Sequence, residues 1–395
     1  MWNSAVISLV VLTFMLGMCE FIIIGIIPEI GQSFDVSLTQ AGMLISYFAI
    51  AYAVGTPLIS IWASRFSRYR FTILLTALFV VANCLVFFVH DYTFMLVDRI
   101  FLAVLSGTLY SVSTTFAPDV VERRYMGDVI AWLNGGFAIA AVFGLPLGVL
   151  TAKYVDWPVL FVGLGIFTAI DLLVMMSVLP KQQNKVKRSS FFKELSLLKD
   201  HRVIIAWGIV ICNAGASYCW YSYITPFLQD IVGVSFAWVS PILLVIGACT
   251  IASNFIGARI ASQGGFYVLW MVVAVHAVLT YSLSLVAPYT LIGTMVVLFF
   301  LGMLFYVQSA SAQVYFFHIS LTFHPGTTFM AGACSPTAFN VGVALGTAVG
   351  SLTLDMAGLH WISIPGGIFM MTSAFLMWYI MNPERQRLRR FHHSS

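Results

Sequence analysis

Long apolar runs separated by short polar segments recur from one end of the chain to the other. They predict helices over 5–31, 38–63, 71–90, 93–116, 127–151, 157–179, 203–230, 236–261, 266–286, 289–317, 328–355 and 360–382. A membrane-spanning helix needs roughly 20 apolar residues, so each run is long enough to cross a bilayer. The breaks carry turn formers or charge, as at Gln32 to Ser37, Ser64 to Arg70 and Pro118 to Arg124. The pattern predicts an all-α membrane protein with twelve transmembrane helices.

Composition agrees with this reading. Of 395 residues, 60% are apolar and only 9% charged, against about half and a quarter in soluble domains. Twelve spans and their loops use almost the whole length, which leaves no room for a separate soluble domain. The first run lacks a basic leader and is expected to remain as helix 1.

Charge then orients the bundle. With the N-terminus in the cytoplasm, 17 of the 19 lysines and arginines fall in cytoplasmic segments. Lys153 falls outside, and Arg99 lies within a span. The resulting organisation is a six-helix bundle over 1–180, a cytoplasmic linker over 181–202, a second six-helix bundle over 203–383 and a basic cytoplasmic tail over 384–395. The linker contains an amphipathic stretch, Ser190 to Leu198, suited to lying along the membrane surface.

The halves read as repeats. Pro28, Val36 and Ser37 match Pro226, Val234 and Ser235 at an offset of 198 residues. Asn134, Gly136, Ala138 and Gly144 match Asn340, Gly342, Ala344 and Gly350 at an offset of 206. Two six-helix repeats enclosing a midplane site are the architecture of an alternating-access carrier.

Ionisable groups within spans are costly, so each is a functional candidate. Glu20 sits mid-helix, either as a proton-coupling site or a partner for a cationic substrate, or as a neutral acid bonded to backbone. Asp98 and Arg99 open helix 4. They point about 100° apart and do not pair with each other. Arg99 heads a one-face stripe of Ala103, Ser106, Tyr110 and Ser113. It either binds substrate and tunes a carboxyl, or is a structural charge tied to carbonyls. Packing is the plainer reading of Asp171 and His276.

Helix 7 places Asn213, Ser217, Trp220 and Tyr221 along one face, flanked by Tyr218 and Tyr223. Helix 10 offers Tyr306, Ser309 and Gln313. Aromatics with polar tips suit a pocket for neutral or amphipathic molecules. Tyr223 reads as an interfacial belt residue. Asn340 and Asn254 serve either the pocket or interhelical hydrogen bonds. Gly144-Leu145-Pro146-Leu147-Gly148 predicts a bend and a tight seam in helix 5. Six scattered cysteines form no CxxC pair or Cys/His cluster, so no metal or cofactor is expected. There is no nucleophile–base set or phosphate loop to suggest an enzyme.

These motifs resemble the major facilitator superfamily, specifically its drug–proton antiporter branch and, within it, the arabinose-efflux (AraJ-type) and related sugar and purine efflux permeases. Glu20-Phe21 with Gly25-Ile26-Ile27-Pro28 resembles the helix 1 signature. Gln40 to Tyr47 and Gly55-Thr56-Pro57-Leu58 resemble helix 2. Arg99 with Gly107 resembles the helix 4 motif that the family associates with proton coupling, and Gly144 to Gly148 the helix 5 antiporter motif. Asn213-Ala214-Gly215, Tyr221 to Tyr223 with Pro226, and Ala338-Phe339-Asn340 resemble helices 7 and 11.

In the loop between helices 2 and 3, Arg65 and Arg68 match the family's basic residues. Ser64 and Ser67 replace its usual Asp and Gly, so the usual charged latch is not expected. The resemblance implies a proton antiporter exporting a sugar, purine or drug-like compound from a bacterial inner membrane, acting as a monomer with no nucleic-acid partner. Its rivals are a proton-coupled importer of a sugar or nucleoside and an uncoupled facilitator.

Overall fold

The computed structural model describes residues 3–63, 67–122, 126–181, 196–263, 266–325 and 327–392. It is helical throughout those residues. The helices are α1 (Ser4–Gly25), α2 (Ile27–Phe34), α3 (Leu38–Ala63), α4 (Arg68–Leu85), α5 (Tyr92–Thr114), α6 (Met126–Tyr154) and α7 (Trp157–Val178). After the linker come α8 (His201–Tyr221), α9 (Phe236–Gln263), α10 (Phe266–Val286), α11 (Leu291–Leu304), α12 (Val307–Phe323), α13 (Thr328–Ala357) and α14 (Ile364–His392). Twelve spans long and apolar enough to cross a membrane lie in them, matching the twelve predicted runs.

Local chemistry sets the helix ends. Asn3, Asp91 and Thr290 each accept a hydrogen bond from a first-turn amide, satisfying donors that have no intrahelical partner. Pro28 and Pro158 sit in first turns, where a missing N–H costs nothing. Gly358, at φ 88°, ends α13 in a conformation that side chains disfavour.

Three predicted spans are interrupted. The run 5–31 divides at Ile26, 203–230 at Ser222, and 289–317 at Phe305. The basic segment after 384 continues α14 to His392 rather than forming a separate tail. Of the linker, 182–195, including Lys185, Arg188 and most of the amphipathic stretch, lies outside the described residues. Its end is a 3-10 turn, Ser196–Lys199, whose Leu197 is buried against Val203, Ala206 and Phe316.

Contacts divide the chain into two compact units. One comprises Met1–Val186 with Tyr223–Gly247; the other comprises Lys187–Ser222 with Ala248–Ser395. Leu173 in the first and Phe255 and Val278 in the second are among many large apolar side chains left exposed, as a lipid-facing surface requires.

The first unit is built on a seam between α1 and α6. A methyl group on Gly136 would strike Thr13, on Gly17 it would strike Ala140, and on Gly144 it would strike Phe21. In the second unit α8 and α13 meet in the same way: Gly342 against Ile211, Gly346 against Gly215 and Gly350 against Cys219. The sequence offsets of 198 and 206 carry each contact of the first seam onto one of the second. Small residues let backbones approach where apolar side chains would gain nothing over lipid.

The segment Tyr223–Gly247 packs within the first unit. Tyr223, read from sequence as a belt residue, is fully buried, its phenol against Gly42 of α3 instead of meeting headgroups. Ser240 Oγ donates to the Pro146 carbonyl at 3.3 Å, and Gly247 lies on the Val142 backbone. Pro146 sits within a continuous α6, whose flanking Gly144 and Gly148 close on α1.

Candidate functional site

A charged cluster occupies the core of the first unit. Arg99, in the second turn of α5, is fully buried. Its Nη2 donates to the Cys19 carbonyl at 2.9 Å and its Nη1 lies 3.6 Å from the Cys19 Sγ. The guanidinium also sits over the rings of Phe48 (4.6 Å) and Phe161 (5.6 Å). Arg99 is thus tied to a backbone carbonyl and, through the same contact, placed beside Glu20.

Glu20 and Asp98 both lie close enough to feel the Arg99 charge. Neither forms an ion pair with it within 4 Å among the described residues. Glu20 Oε2 and Asp98 Oδ2 are buried without a hydrogen-bond partner there. Tyr52 on α3 interacts electrostatically with Glu20 and Tyr110. Tyr110 donates to Asn134 Oδ1 and sets its ring edge-on to Phe137 at 6.0 Å; Phe137 in turn meets Phe21 at 5.6 Å. Ser106 and Ser113, on the same α5 stripe, have buried hydroxyls without a partner among the described residues. Gly107 lets α5 lie directly on Tyr52 and Thr56 of α3.

The second unit carries an aromatic cluster at the corresponding place. The offset of 198 carries Glu20 onto Tyr218. The Tyr218 ring lies 5.8 Å from each of Tyr221, Phe305 and Phe339. Tyr221 meets Phe305 at 5.0 Å, Trp220 meets Tyr221 at 5.6 Å, and Tyr306 stacks on Phe339 at 5.3 Å. The α11–α12 interruption makes this possible. Breaking the helix frees the Phe305 carbonyl, which accepts from Asn213 Nδ2 at 3.0 Å, and the Tyr306 amide, which donates to Ser253 Oγ at 3.1 Å. Irregular backbone inside a membrane protein requires such side-chain partners. Asn213 Nδ2 also reaches Ser309 Oγ at 3.2 Å.

Several of the remaining predicted residues make bonds of their own. Gln313 bonds the Ala331 carbonyl at 3.1 Å, linking α12 to α13. Asn340 Nδ2 and Asn254 Nδ2 each bond a carbonyl of their own helix. Asp171 accepts from Ser8 Oγ at 2.6 Å and ties α7 to α1. His276 is fully buried on α10, with neither ring nitrogen partnered among the described residues. Arg65 lies outside the described residues.

Arg68 has an acidic partner after all. It donates to Asp119 Oδ2 at 2.6 Å and to the Thr115 carbonyl at 2.5 Å, with Phe116 beneath its guanidinium. Asp119 lies just past the end of α5; Ser64, where the family's loop Asp would stand, lies outside the described residues. Sequence reasoning also missed Cys19, Tyr52, Phe305 and Phe339. Of these, Phe339 alone carried a signal, as the neighbour of Asn340. A second charged group sits where α8 begins: Asp200 caps the helix, takes a bidentate contact from Arg202 and bonds His324 Nε2 at 3.1 Å.

Comparison with known proteins gives a consistent picture. The family described as Major Facilitator Superfamily matches residues 9–335. The MFS-type transporter YtbD of Bacillus subtilis is 26% identical over 384 residues, covering 97% of each chain. The inner membrane transport protein YdhP of Escherichia coli is 26% identical over 396 residues, again covering 97% of each. Among solved structures, a bacterial homolog of the human lysosomal transporter Spinster, inward-facing and unoccupied, superposes with a TM-score of 0.78 at 13% identity, covering 95% of this chain and 96% of that one. A D-xylose–proton symporter gives the same TM-score and identity, covering 95% and 97%. At that identity the likeness is one of fold.

Proposed function

Because the chain belongs to the major facilitator superfamily and is a multi-pass transporter, we propose that it exports a small organic solute in exchange for protons, with Glu20 as the proton carrier. The observation that carries this reading is the Glu20 Oε2, buried and without a hydrogen-bond partner among the described residues, beside a fully buried Arg99. Glu20, Asp98 and Arg99 form a group of two acids and one base. With both acids ionised it carries one net negative charge; with one proton it is neutral. Uncompensated charge within a membrane costs several kcal/mol, so one proton is the natural cargo of this group.

Arg99 cannot leave: it is anchored on the Cys19 carbonyl and sandwiched by Phe48 and Phe161. It supplies a fixed positive charge against which the proton comes and goes. Protonation then shifts the balance between conformations only by its different free energy in each, and that difference is the coupling. The solute is held by the aromatic cluster of the second unit. We assign the protein to the drug–proton antiporter branch on Glu20-Phe21, Arg99 with Gly107, and Gly144 to Gly148. We place it in a bacterial inner membrane with both termini cytoplasmic, on the lysine and arginine distribution.

Reconstitution in liposomes under a pH gradient tests this reading, following lumenal pH as sugars, nucleobases and antibiotics are added to wild type and Glu20→Gln. A solute-dependent proton flux that vanishes in the variant is expected. A labelled solute equilibrating equally in both proteins, with no proton movement, would leave an uncoupled facilitator instead.

A further inference from the structure

Four buried polar atoms on α8 and α13, two of the helices that carry the aromatic cluster, have no partner among the described residues: Asn213 Oδ1, Ser217 Oγ, Trp220 Nε1 and Asn340 Oδ1. Their side chains are at least nine-tenths buried. Asn213, Ser217 and Trp220 are spaced by four and three residues, so they share one face of α8. Asn340 adjoins Phe339, whose ring meets both Tyr218 and Tyr306. A buried polar atom left unsatisfied is costly, and a ligand that satisfies it gains the difference.

The chemistry of these atoms is specific. Trp220 Nε1 can only donate, the two amide oxygens can only accept, and the serine hydroxyl does either. A complementary ligand therefore offers an acceptor and a donor together. The surrounding surface is made of six rings, Tyr218, Trp220, Tyr221, Phe305, Tyr306 and Phe339, none of them charged. Such a lining rewards a flat π-face and penalises a formal charge, which would be stripped of water without a counter-ion.

We infer that the solute is an uncharged, planar aromatic molecule whose edge carries a hydrogen-bond donor beside an acceptor, as in a lactam fused to an aromatic ring. This assignment rests on reading the chain as a solute carrier. It favours an aromatic solute over the sugars that the same family context would allow, because a sugar has no π-face and its many hydroxyls would each need a partner in place of water.

Equilibrium dialysis of the purified full-length protein in detergent tests it, using quinolin-2-one, its ring-saturated analogue, its N-methyl analogue and arabinose. Wild type is expected to bind quinolin-2-one about tenfold or more tighter than any of the other three. Trp220→Leu is expected to lose that advantage over the saturated analogue. Asn340→Leu is expected to lose the preference for the N–H over the N-methyl compound. Trp220→Phe, which keeps the ring, serves if the leucine variant does not fold; it should keep the aromatic preference and weaken binding. The dialysis is done without a proton gradient, so binding that stays intact while liposomes show no proton coupling sinks the antiport reading alone. Tighter binding of arabinose than of quinolin-2-one by wild type, or equal binding of all four compounds, would overturn the inference.

Discussion

Arg99 donates its 2.9 Å hydrogen bond to the backbone of Cys19, the residue immediately before Glu20, and not to Asp98, its own neighbour in the chain. The contact joins α5 to α1 and holds a fixed charge next to a mobile proton. Replacing Arg99 by Leu removes a charged hydrogen bond to the Cys19 carbonyl and the cation beside Glu20 and Asp98, a loss of about 1–3 kcal/mol. Thermal unfolding in detergent should show the lower stability, and proteoliposomes should show no coupled flux. Arg99→Lys keeps the charge but not the planar fork over Phe48, and should fall between wild type and Arg99→Leu in both measurements.

The Arg68–Asp119 pair should behave as one unit. Each single neutralisation, Arg68→Gln or Asp119→Asn, breaks a charge-assisted bond and should cost about 1–3 kcal/mol. The double variant should cost less than the two singles together, and a double-mutant cycle on unfolding midpoints measures the coupling. Strict additivity would mean that the pair contributes nothing.

Two glycines should respond oppositely to alanine. At Gly346 a methyl would run into the Gly215 carbonyl, so Gly346→Ala must push α8 and α13 apart and lower the unfolding temperature. At Gly163, within α7, a methyl meets nothing within 4 Å. Gly163→Ala should raise stability by about 0.5–1 kcal/mol through helix propensity alone.

Asp200 makes a prediction about pH. Hydrogen bonding from Arg202, foremost, together with that from the Arg202 amide and His324, holds its carboxyl below the usual carboxylate range despite partial burial. The folded value lies below the unfolded one, so the stabilisation is complete above the ordinary carboxylate pKa of about 4 and is lost as pH falls through the folded value. Asp200→Asn should therefore unfold earlier than wild type by a constant margin between pH 8 and pH 5. The margin should narrow only below about pH 4. A margin that changes between pH 8 and pH 5 would contradict this assignment.

Much of this protein was decided by sequence alone. Spans of sufficient length and apolarity determine twelve crossings, because an unsatisfied backbone in lipid leaves helix as the way across for such a chain. The repeats determine the seams: Gly136 and Gly342, Gly144 and Gly350 are paired by offset, and small residues at repeated positions can serve close contact only one way. The location of Glu20 and Arg99 inside spans was equally plain, since charge in an apolar run stands out.

Tertiary structure decided what those residues touch. Nothing in the order of residues says that Arg99 turns to Cys19, that Arg68 pairs with Asp119, or that Tyr223 is buried against Gly42. Each contact depends on how helices far apart in the chain are rotated about their axes. The aromatic cluster had the same origin. Tyr218 and Phe305 are separated by several helices, and they meet because a break at Phe305 frees a carbonyl that Asn213 can hold. Periodicity reports which face of a helix is polar; only packing selects the partner for it.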